Sequence, residues 1–279
     1  MTSIALLLQS ASQRLTAISP TPRLDAELLL AYAIKRSRTY LLAWPEAVPS
    51  PAQADRFQHL VERRCQGEPI AYLIGRREFW SHEFEVQPWV LVPRPETEVL
   101  VEKALALIPP ESSWQIADLG TGSGAIAVCL GLERPKARLI ATDLCPKALA
   151  VAKANARRIG ARNLIFVRGD WLASFAEASL DLIVSNPPYV AATDPHLKGE
   201  IRFEPALALI GGRDGMDCFR RLIPQAYRCL KPGGFLLLEH APEQELALLE
   251  LLARTGFEGI VCHPDLEGRP RVTQAQRSL

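Results

Sequence analysis

The chain has 279 residues, which is enough for one large domain or two modest ones. Its apolar content of 48% and charged content of 23% are ordinary for a soluble globular protein. The formal net charge of +1 gives no broad basic surface, so we expect no direct nucleic-acid binding. No apolar stretch reaches membrane-spanning length, and the amino terminus lacks the pattern of a signal peptide. The six cysteines are scattered without metal-binding spacing, which favours free thiols, a cytoplasmic protein and no metal site.

The first part of the chain has the apolar spacing of helices. One such series begins the sequence and comprises Ile4, Leu7, Leu8, Ala11, Leu15 and Ile18. Thr21-Pro22 then predicts the start of a second helix, because proline is favoured in the first turn. A third amphipathic segment follows Pro51 and ends before Gly67. These patterns predict a helical-bundle domain over residues 1–75.

A β-hairpin linker is predicted over residues 76–92, with short strands at 78–80 and 83–86. From Pro95 onward, helical and strand patterns alternate. In chain order they are helix 95–108, strand 116–119, helix 124–132, strand 138–142, helix 146–159, strand 164–167, strand 180–185, helix 217–230, strand 235–239, helix 243–254, and strands 257–263 and 270–275. This alternation predicts an α/β domain over residues 93–279, with a doubly wound, mostly parallel sheet of seven strands between helices.

The first strand of this predicted sheet runs into the glycine-rich loop Gly120-Thr121-Gly122-Ser123-Gly124, which opens a helix. Glycines at such a turn allow positive φ and let the backbone approach a ligand closely. The G-x-G-x-G spacing is tighter than the dinucleotide fingerprint. A plain strand–helix connection is the alternative interpretation of this loop by itself.

Acidic residues follow the next two strands. Asp143 stands where a carboxylate can accept hydrogen bonds from both hydroxyls of a ribose, or alternatively cap the helix that begins at Pro146. Asp170 and Trp171 follow the third strand, where the ring can pack on an adenine and the carboxylate can accept from its amino group. The alternative for Trp171 is a place in the core. Because the carboxyl ends of parallel strands share one edge of a sheet, these groups predict a nucleoside-containing cofactor.

The turn Asn186-Pro187-Pro188-Tyr189 follows the apolar strand 180–185. Two consecutive prolines cannot continue a central strand, so the chain must leave the sheet at its carboxyl end. The turn offers an amide side chain, carbonyls beside prolines that lack an N–H, and an aromatic ring. Such a group is suited to hold a planar –NH2 by its hydrogens. We interpret it as a site for chemistry on an amino or amide nitrogen.

Two cofactor classes compete for this arrangement. A pyrophosphate at the helix amino terminus would favour NAD and a hydride-transferring enzyme. The tighter 120–124 loop and the 186–189 turn favour S-adenosylmethionine, which carries no phosphate. The loop, Asp143, Asp170-Trp171 and the turn, in this order, are typical of a class I methyltransferase that acts on nitrogen.

With these motifs the chain resembles the bacterial release factor glutamine methyltransferases over nearly its whole length. Further matching segments are residues 69–75, 92–98, 203–205 and 211–215. The resemblance implies methyl transfer from S-adenosylmethionine to the glutamine of the Gly-Gly-Gln motif in peptide-chain release factors, which are then the protein partners. It also implies that residues 120–124, Asp143, Trp171 and Asn186 contact the cofactor, and that the 186–189 turn holds the glutamine. We expect Asn186, Pro187 and Tyr189 to be the catalytic residues.

Two departures from the family pattern are visible. Cys145-Pro146 stands where the family often has serine-proline, which weakens a helix cap but leaves the ribose contact intact. Pro270 stands in the tail where an aspartate is common, so no tail residue is assigned to binding.

Three polar residues keep open roles. Arg94 and Glu96 either start a helix or lie near the cofactor, since carboxylates stabilise a helix amino terminus. Glu204 either faces the substrate or pairs with Arg202 or Arg213.

Other functions remain as alternatives. A DNA adenine N6-methyltransferase would use the same turn on an exocyclic amino group, but the near-zero net charge weighs against it. A ribosomal-protein glutamine methyltransferase would share the local chemistry, and only the wider family match favours release factors. A non-catalytic adaptor is disfavoured by the intact loop, Asp143 and turn.

Overall fold

Two compact units make up the protein. The computed structural model describes residues 2–279, apart from the side chains of His196 and Glu200. The helical unit consists of the chain up to Arg76 together with Lys198–Phe203. The sheet unit consists of Arg77–Leu197 and Glu204–Leu279. The grouping of Lys198–Phe203 with the helices was not predicted from the sequence.

The helical unit is built around one apolar core. Its α-helices are α1 (Ile4–Leu15), α2 (Pro22–Ile34), α3 (Arg38–Ala43), α4 (Pro51–Cys65) and α5 (Ile70–Ile74). Leu15, Leu29 and Phe57 are fully buried in this core, as the helical spacing predicts. The short helices α3 and α5 were not predicted, because one or two turns carry too little periodicity to be recognised.

The start of α4 shows how the sequence sets a helix boundary. The Ser50 hydroxyl accepts a hydrogen bond from the Gln53 backbone N–H at 3.3 Å, and the Gln53 side chain accepts from the Ser50 N–H at 2.9 Å. This capping box satisfies two N–H groups, and Pro51 occupies the first helical position, where its missing N–H costs nothing.

The hairpin pairs β1 (Arg76–Phe79) with β2 (His82–Glu85). Its turn residues are Trp80 and Ser81, with φ of 51° and 58°, one position earlier than predicted. A two-residue hairpin turn of this kind needs positive φ at both positions. Trp80 is held there because its N–H donates to the Glu98 carboxylate at 2.8 Å.

The sheet unit alternates strands and helices as predicted. In chain order its elements are α6 (Glu98–Leu107), β3 (Gln115–Leu119), α7 (Ala125–Glu133), β4 (Arg138–Asp143), α8 (Pro146–Ile159), β5 (Leu164–Arg168), β6 (Leu180–Ser185), α9 (Ala206–Leu209), α10 (Asp217–Cys229), β7 (Leu230–Glu239), α11 (Glu245–Thr255), β8 (Phe257–Pro264) and β9 (Pro270–Arg277). Short 3₁₀ turns occur at Pro95–Thr97, Pro195–Lys198, Glu200–Phe203 and Pro242–Gln244, the third of them in the helical unit. The predicted helix 95–108 is therefore a 3₁₀ turn followed by α6.

The seven-stranded sheet has the order β5-β4-β3-β6-β7-β9-β8. Strands β3 to β7 pair in parallel, and β9 pairs antiparallel with both β7 and β8. The strand order reverses at β3, because β4 lies on one side of it and β6 on the other. In open α/β sheets such a reversal leaves a crevice at the carboxyl ends of the strands, where ligands bind. The predicted doubly wound, mostly parallel fold is confirmed.

Helices cover both faces of the sheet. Alternate residues of β6 point to opposite cores: Leu182 and Val184 to one, and Ile183 to the other. The first core is closed by α6, α7 and α8, and the second by α10 and α11. Burial on both faces explains the continuous apolar run of this strand in the sequence.

Over the described residues 2–279, no helix combines the length and apolar character that a membrane span requires. The six cysteines are free, and Cys129 and Cys229 are buried.

Candidate active site

A cavity of about 510 Å³ opens at the carboxyl ends of β3, β4, β5 and β6. Small-molecule sites in proteins typically have volumes of roughly 300–1,000 Å³. The sheet register keeps these strand ends level, since Leu119 pairs with both Thr142 and Ser185. The residues that follow each strand therefore meet in one place, at the crevice expected from the strand order.

The 120–124 loop forms one wall of the cavity. Gly120, Gly122 and Gly124 have φ of 71°, 55° and 83°, a conformation that residues with a Cβ rarely adopt. A Cβ on Gly124 would lie 3.0 Å from the Ala152 Cβ of α8, so this glycine also lets α7 pack closely on α8. The Thr121 N–H donates to the Thr142 carbonyl at 2.8 Å, which ties the loop to β4.

Asp143 is held between the loop and the start of α8. One carboxylate oxygen accepts from the Gly122 N–H at 2.9 Å, and the other accepts from the Cys145 N–H at 2.8 Å. The Asp143 side chain therefore holds the start of α8, as one sequence interpretation expected. It also lines the cavity, where the other interpretation expected it to accept from a ribose. Burial raises its pKa above the ordinary value, against the lowering effect of these N–H donors. Each oxygen keeps a lone pair for a further donor.

Asp118 lies at the end of β3 beneath the loop and is fully buried. Its Oδ2 accepts from the Thr121 hydroxyl at 2.6 Å and from the Ala127 N–H at 3.2 Å. Its Oδ1 has no hydrogen-bond partner among the described residues. Burial raises the pKa of this carboxyl to about 7. An unpartnered buried oxygen is costly unless a ligand or water donates to it, but Asp118 itself is not among the residues that line the cavity.

Trp171 and Asp170 follow β5 at the cavity. The Trp171 ring lies beside Gly120, and its backbone has φ of 51°. Asp170 has a partner that the sequence did not indicate, because Arg221 of α10 donates to its carboxylate at 2.6 Å. Both side chains of this pair are about half exposed, at 56% and 50%. The pair stands at the rim of the cavity, where one carboxylate oxygen can still accept from a ligand.

The 186–189 turn follows β6, as predicted. The Asn186 Nδ2 donates to the Thr97 hydroxyl at 3.1 Å, which leaves its Oδ1 without a described bond. Asn186 and Pro188 line the cavity, whereas Pro187 is buried and Tyr189 lies behind the wall. The Tyr189 hydroxyl donates to the Glu239 carboxylate at 3.2 Å, and burial raises the pKa of this phenol.

The segment 209–215 clamps the turn from behind. The Val190 N–H donates to the Leu209 carbonyl, and the Gly211 N–H donates to the Val190 carbonyl, each at 2.9 Å. The Gln244 side chain donates to the Tyr189 carbonyl at 2.9 Å. A Cβ on Gly215 would clash with that same carbonyl oxygen, and φ at Gly215 is 78°. This contact gives the family-characteristic segment 211–215 a role in holding the turn.

The open roles of Arg94 and Glu204 are resolved by the structure. Glu204 accepts from the Val92 N–H at 3.0 Å and forms an ion pair with Arg94, which lines the cavity. Arg202 instead donates to the Gln66 carbonyl within the helical unit at 2.5 Å. Glu204 is buried, so it orders the segment beside the cavity rather than facing a substrate directly.

Sequence reasoning missed three residues beside the turn: Thr97, which also lines the cavity, Glu239 and Arg271. Glu239 ends β7, and burial raises the pKa of its carboxyl to about 7, while the Thr97 hydroxyl and the Arg271 charge lower it. Arg271 belongs to the tail, which the sequence left unassigned, and it donates to Asp265 at 3.3 Å. The one available signal was an acidic residue at the end of an apolar strand, in Leu236-Leu237-Leu238-Glu239.

The helical unit has a cavity of its own, about 740 Å³ in volume. Four cations and two tyrosines are prominent in its lining: Lys35, Arg36, Arg56, Arg76, Tyr32 and Tyr40. The Arg56 guanidinium lies 4.7 Å from the centre of the Tyr32 ring, and Arg36 lies 5.3 Å from that of Tyr40. The lining, taken over the described residues, includes no carboxylate.

Within residues 2–279, as far as their side chains are described, no group of three or more His, Cys, Asp and Glu residues is arranged to hold a metal ion.

Comparison with known proteins places the chain in a family. A family model described as PrmC N-terminal domain matches residues 7–75, and one described as methyltransferase small domain matches residues 96–202. The release factor glutamine methyltransferase of Xylella fastidiosa (strain 9a5c) is 45% identical over 98% of this chain and 98% of its own length. That of Escherichia coli (strain K12) is 43% identical over 91% of this chain and 92% of its own.

Solved structures support the fold. A methyltransferase from Pyrococcus furiosus aligns over 80% of this chain and 98% of its own, with a TM-score of 0.54 at 17% identity. A ribosomal protein L11 methylase from Lactobacillus delbrueckii aligns over 67% and 81%, with a TM-score of 0.50 at 22% identity. At these identities the likeness concerns the fold alone. Given the near-full-length relatives, the chain belongs to the release factor glutamine methyltransferase family.

Proposed function

We propose that this protein methylates the side-chain amide nitrogen of the glutamine in the Gly-Gly-Gln motif of peptide-chain release factors, with S-adenosylmethionine as methyl donor. The observation that carries the proposal is the 186–189 turn at the carboxyl end of β6, with the Asn186 amide tied to Thr97 and its oxygen left for a substrate donor. Full-length relatives with this named activity support the substrate.

The cavity residues fit the proposed cofactor. Asp143 would accept from the ribose hydroxyls, and the 120–124 loop would face the amino-acid part with its backbone. Trp171 would pack on the adenine, with Asp170 at its edge. The Asp143 carboxylate, which lines the cavity and keeps a lone pair on each oxygen, matches a cofactor that carries hydroxyl donors. When bound, S-adenosylmethionine supplies a methyl group on a positively charged sulfur.

An amide nitrogen is a poor nucleophile, because its lone pair is delocalised into the carbonyl. The described turn carries no strong base, so positioning is the more economical account of the reaction. The Asn186 Oδ1 and the Pro187 carbonyl would accept the two N–H bonds of the glutamine amide and orient its nitrogen. Alignment of reacting groups can lower barriers by roughly 7–11 kcal/mol.

Charge development would be stabilised by the same groups. As the nitrogen gains the methyl carbon it becomes partly cationic, and the two accepting oxygens favour that charge. Tyr189 lies behind the cavity wall, so its part would be to hold the turn through its bond to Glu239 and not to offer its ring to the nitrogen. The new N–C bond would form as the S–C bond of the donor breaks, which leaves S-adenosylhomocysteine as a neutral thioether. The nitrogen would then lose one proton to water and remain as a neutral N-methyl amide.

The two units would have different functions, one in binding the protein substrate and one in catalysis. We infer that residues 1–75 form a docking domain for the protein substrate, residues 76–92 a linker and residues 93–279 the catalytic domain. The cationic cavity of the helical unit supports this proposal, since it offers charge to a partner surface. An enzyme that modifies release factors would work where translation occurs, in the cytoplasm.

Mass spectrometry of a purified release factor, incubated with the protein and S-adenosylmethionine, tests this function. We expect one added methyl group on the Gly-Gly-Gln glutamine, and a loss of at least about 100-fold in rate for Asn186→Ala, by loss of alignment. The thermal unfolding temperature serves as the folding control, because Asn186 is itself expected to contact the cofactor. Methylation of DNA adenine or of a ribosomal protein, with none on the release factor, would keep the fold and overturn the substrate.

A further inference from the structure

A buried carboxylate lies directly behind the 186–189 turn. Glu239 is the last residue of β7, the strand next to β6, and the pairing of Ser185 with Leu238 brings it level with Asn186. It is 1% exposed, and its Oε1 accepts the Tyr189 hydroxyl at 3.2 Å. Among the described residues its Oε2 has no hydrogen-bond partner by geometry.

Thr97 connects this carboxylate to Asn186. The Thr97 oxygen accepts from the Asn186 Nδ2 at 3.1 Å, so its own proton is available to another acceptor. Thr97 is buried, and it is close enough to Glu239 to lower the pKa of that carboxyl. Glu239 thus accepts the Tyr189 proton through Oε1, and its buried Oε2, which has no partner among the described residues, is available to the Thr97 proton.

This arrangement decides which way the Asn186 amide lies. An asparagine amide can turn either end to a hydroxyl, because a hydroxyl both donates and accepts. When the Thr97 proton is directed at a carboxylate, its oxygen can only accept, and only the NH2 end of Asn186 fits there. The Oδ1 end is then left for the N–H of a substrate.

We propose that Glu239 is a positioning residue for methyl transfer: its carboxylate orders the Thr97 and Tyr189 hydroxyls and so fixes the orientation of the Asn186 amide. The inference rests on the proposed function, because it assigns Asn186 Oδ1 to a substrate N–H. Glu239 is not among the residues that line the cavity, so it would act through the two hydroxyls.

The ionisation of Glu239 provides a measurable signature. The charged and titratable groups around it are Arg271 of β9, Tyr189 of the turn and Glu96 of the 3₁₀ turn, with Arg94 acting on Tyr189. Burial brings the pKa of the Glu239 carboxyl to about 7. The ionised form accepts both hydroxyl protons, whereas the protonated form donates one. Activity should thus be complete above this pKa and fall as the pH drops through it.

The deciding variant is Glu239→Gln, which keeps the size of the side chain but replaces one acceptor by a donor. We expect kcat on a Gly-Gly-Gln peptide to fall by about 10- to 100-fold, with the S-adenosylmethionine Kd within about twofold of wild type. The acidic limb of the pH–kcat profile should disappear. Asp181→Asn is the matched control, since Asp181 accepts from the Gln115 N–H at 2.7 Å at the opposite end of β6. It should keep the wild-type profile.

A double-mutant cycle keeps the result independent of folding. Thr97→Val and Glu239→Gln interrupt the same chain of hydrogen bonds, so the double variant should lose no more than about twofold beyond the worse single variant. Additive losses of kcat in the double variant would contradict a shared series of hydrogen bonds through Thr97 and Glu239. A wild-type pH profile in Glu239→Gln would contradict it as well. If cofactor binding and thermal stability fell in parallel with kcat, Glu239 would be merely structural and the proposal wrong. If wild-type protein failed to methylate the peptide, the proposed function would fail first, whatever the variants did.

Discussion

The two cavities of the molecule are lined by different kinds of groups. The cavity of the sheet unit is walled by backbone and by short polar side chains with buried partners, such as Asp143 and Asn186. The cavity of the helical unit is lined by long, exposed cations stacked on tyrosines. The first can hold atoms in fixed positions, whereas the second offers charge that adapts to its partner. The cavity of the sheet unit is therefore suited to position a bound molecule, and the cavity of the helical unit is suited to attract a partner by charge.

The largest loss of kcat is expected from a substitution that pushes one backbone segment against another. Gly215→Ala places a Cβ against the Tyr189 carbonyl and must displace the 186–189 turn. A misplacement of about 1 Å can cost roughly 100-fold in rate, and we expect a kcat loss of at least that size. The measurement is peptide methylation with cofactor affinity followed in parallel.

Gly268→Ala is the matched control for this variant. Gly268 has the same φ, 78°, but no atom lies within 4 Å of the added Cβ. It should cost about 1–2 kcal/mol of stability and leave kcat unchanged. Equal kcat losses in both variants would show that backbone strain, and not contact with the turn, explains the effect.

The affinity for S-adenosylmethionine tests whether Asp143 contributes to cofactor binding in the cavity of the sheet unit. In Asp143→Asn one amide NH2 group must face a backbone donor, either Gly122 or Cys145. An unsatisfied pairing of this kind costs about 1–3 kcal/mol, so we expect the S-adenosylmethionine Kd to rise about tenfold or more. Calorimetry at neutral pH measures it. Since burial raises the pKa of Asp143, wild-type affinity should also weaken as the pH is lowered through that pKa. An unchanged Kd in the variant would remove Asp143 from the cofactor site.

The smallest effect, a rise in KM, is expected from a substitution in the cavity of the helical unit. Arg36→Glu should raise KM for a release factor by about 3- to 10-fold at low salt, because one charge in a flexible cluster is replaced by its opposite. The kcat on a short peptide should stay at the wild-type value. Arg157→Glu, on the exposed surface of α8, makes the same charge change outside this cavity. Matching KM increases in both variants would show a general charge effect and no docking by the helical unit.

The sequence was a good guide wherever function depends on local backbone. The 120–124 loop, Asp143, Trp171 and the 186–189 turn each follow a strand, and parallel strands bring their ends together by geometry alone. It was a poor guide to the partners of these groups. Arg221 beside Asp170, and Glu204 beside Arg94, come from segments distant in the chain. The Tyr189 hydroxyl, which the sequence interpretation did not use, is bonded to Glu239.

The amino-acid sequence by itself determined the α/β class, the order of its elements, the helical first part and the family motifs. These properties depend on periodicity, on proline and glycine, and on short-range spacing, which are all legible within a few residues. Only the tertiary structure decided that Thr97, Glu239 and Arg271 lie beside the turn, and that Gly211 and Gly215 pack against its carbonyl oxygens. Such contacts join residues far apart in the chain, and they follow from how strands and helices pack rather than from any local pattern.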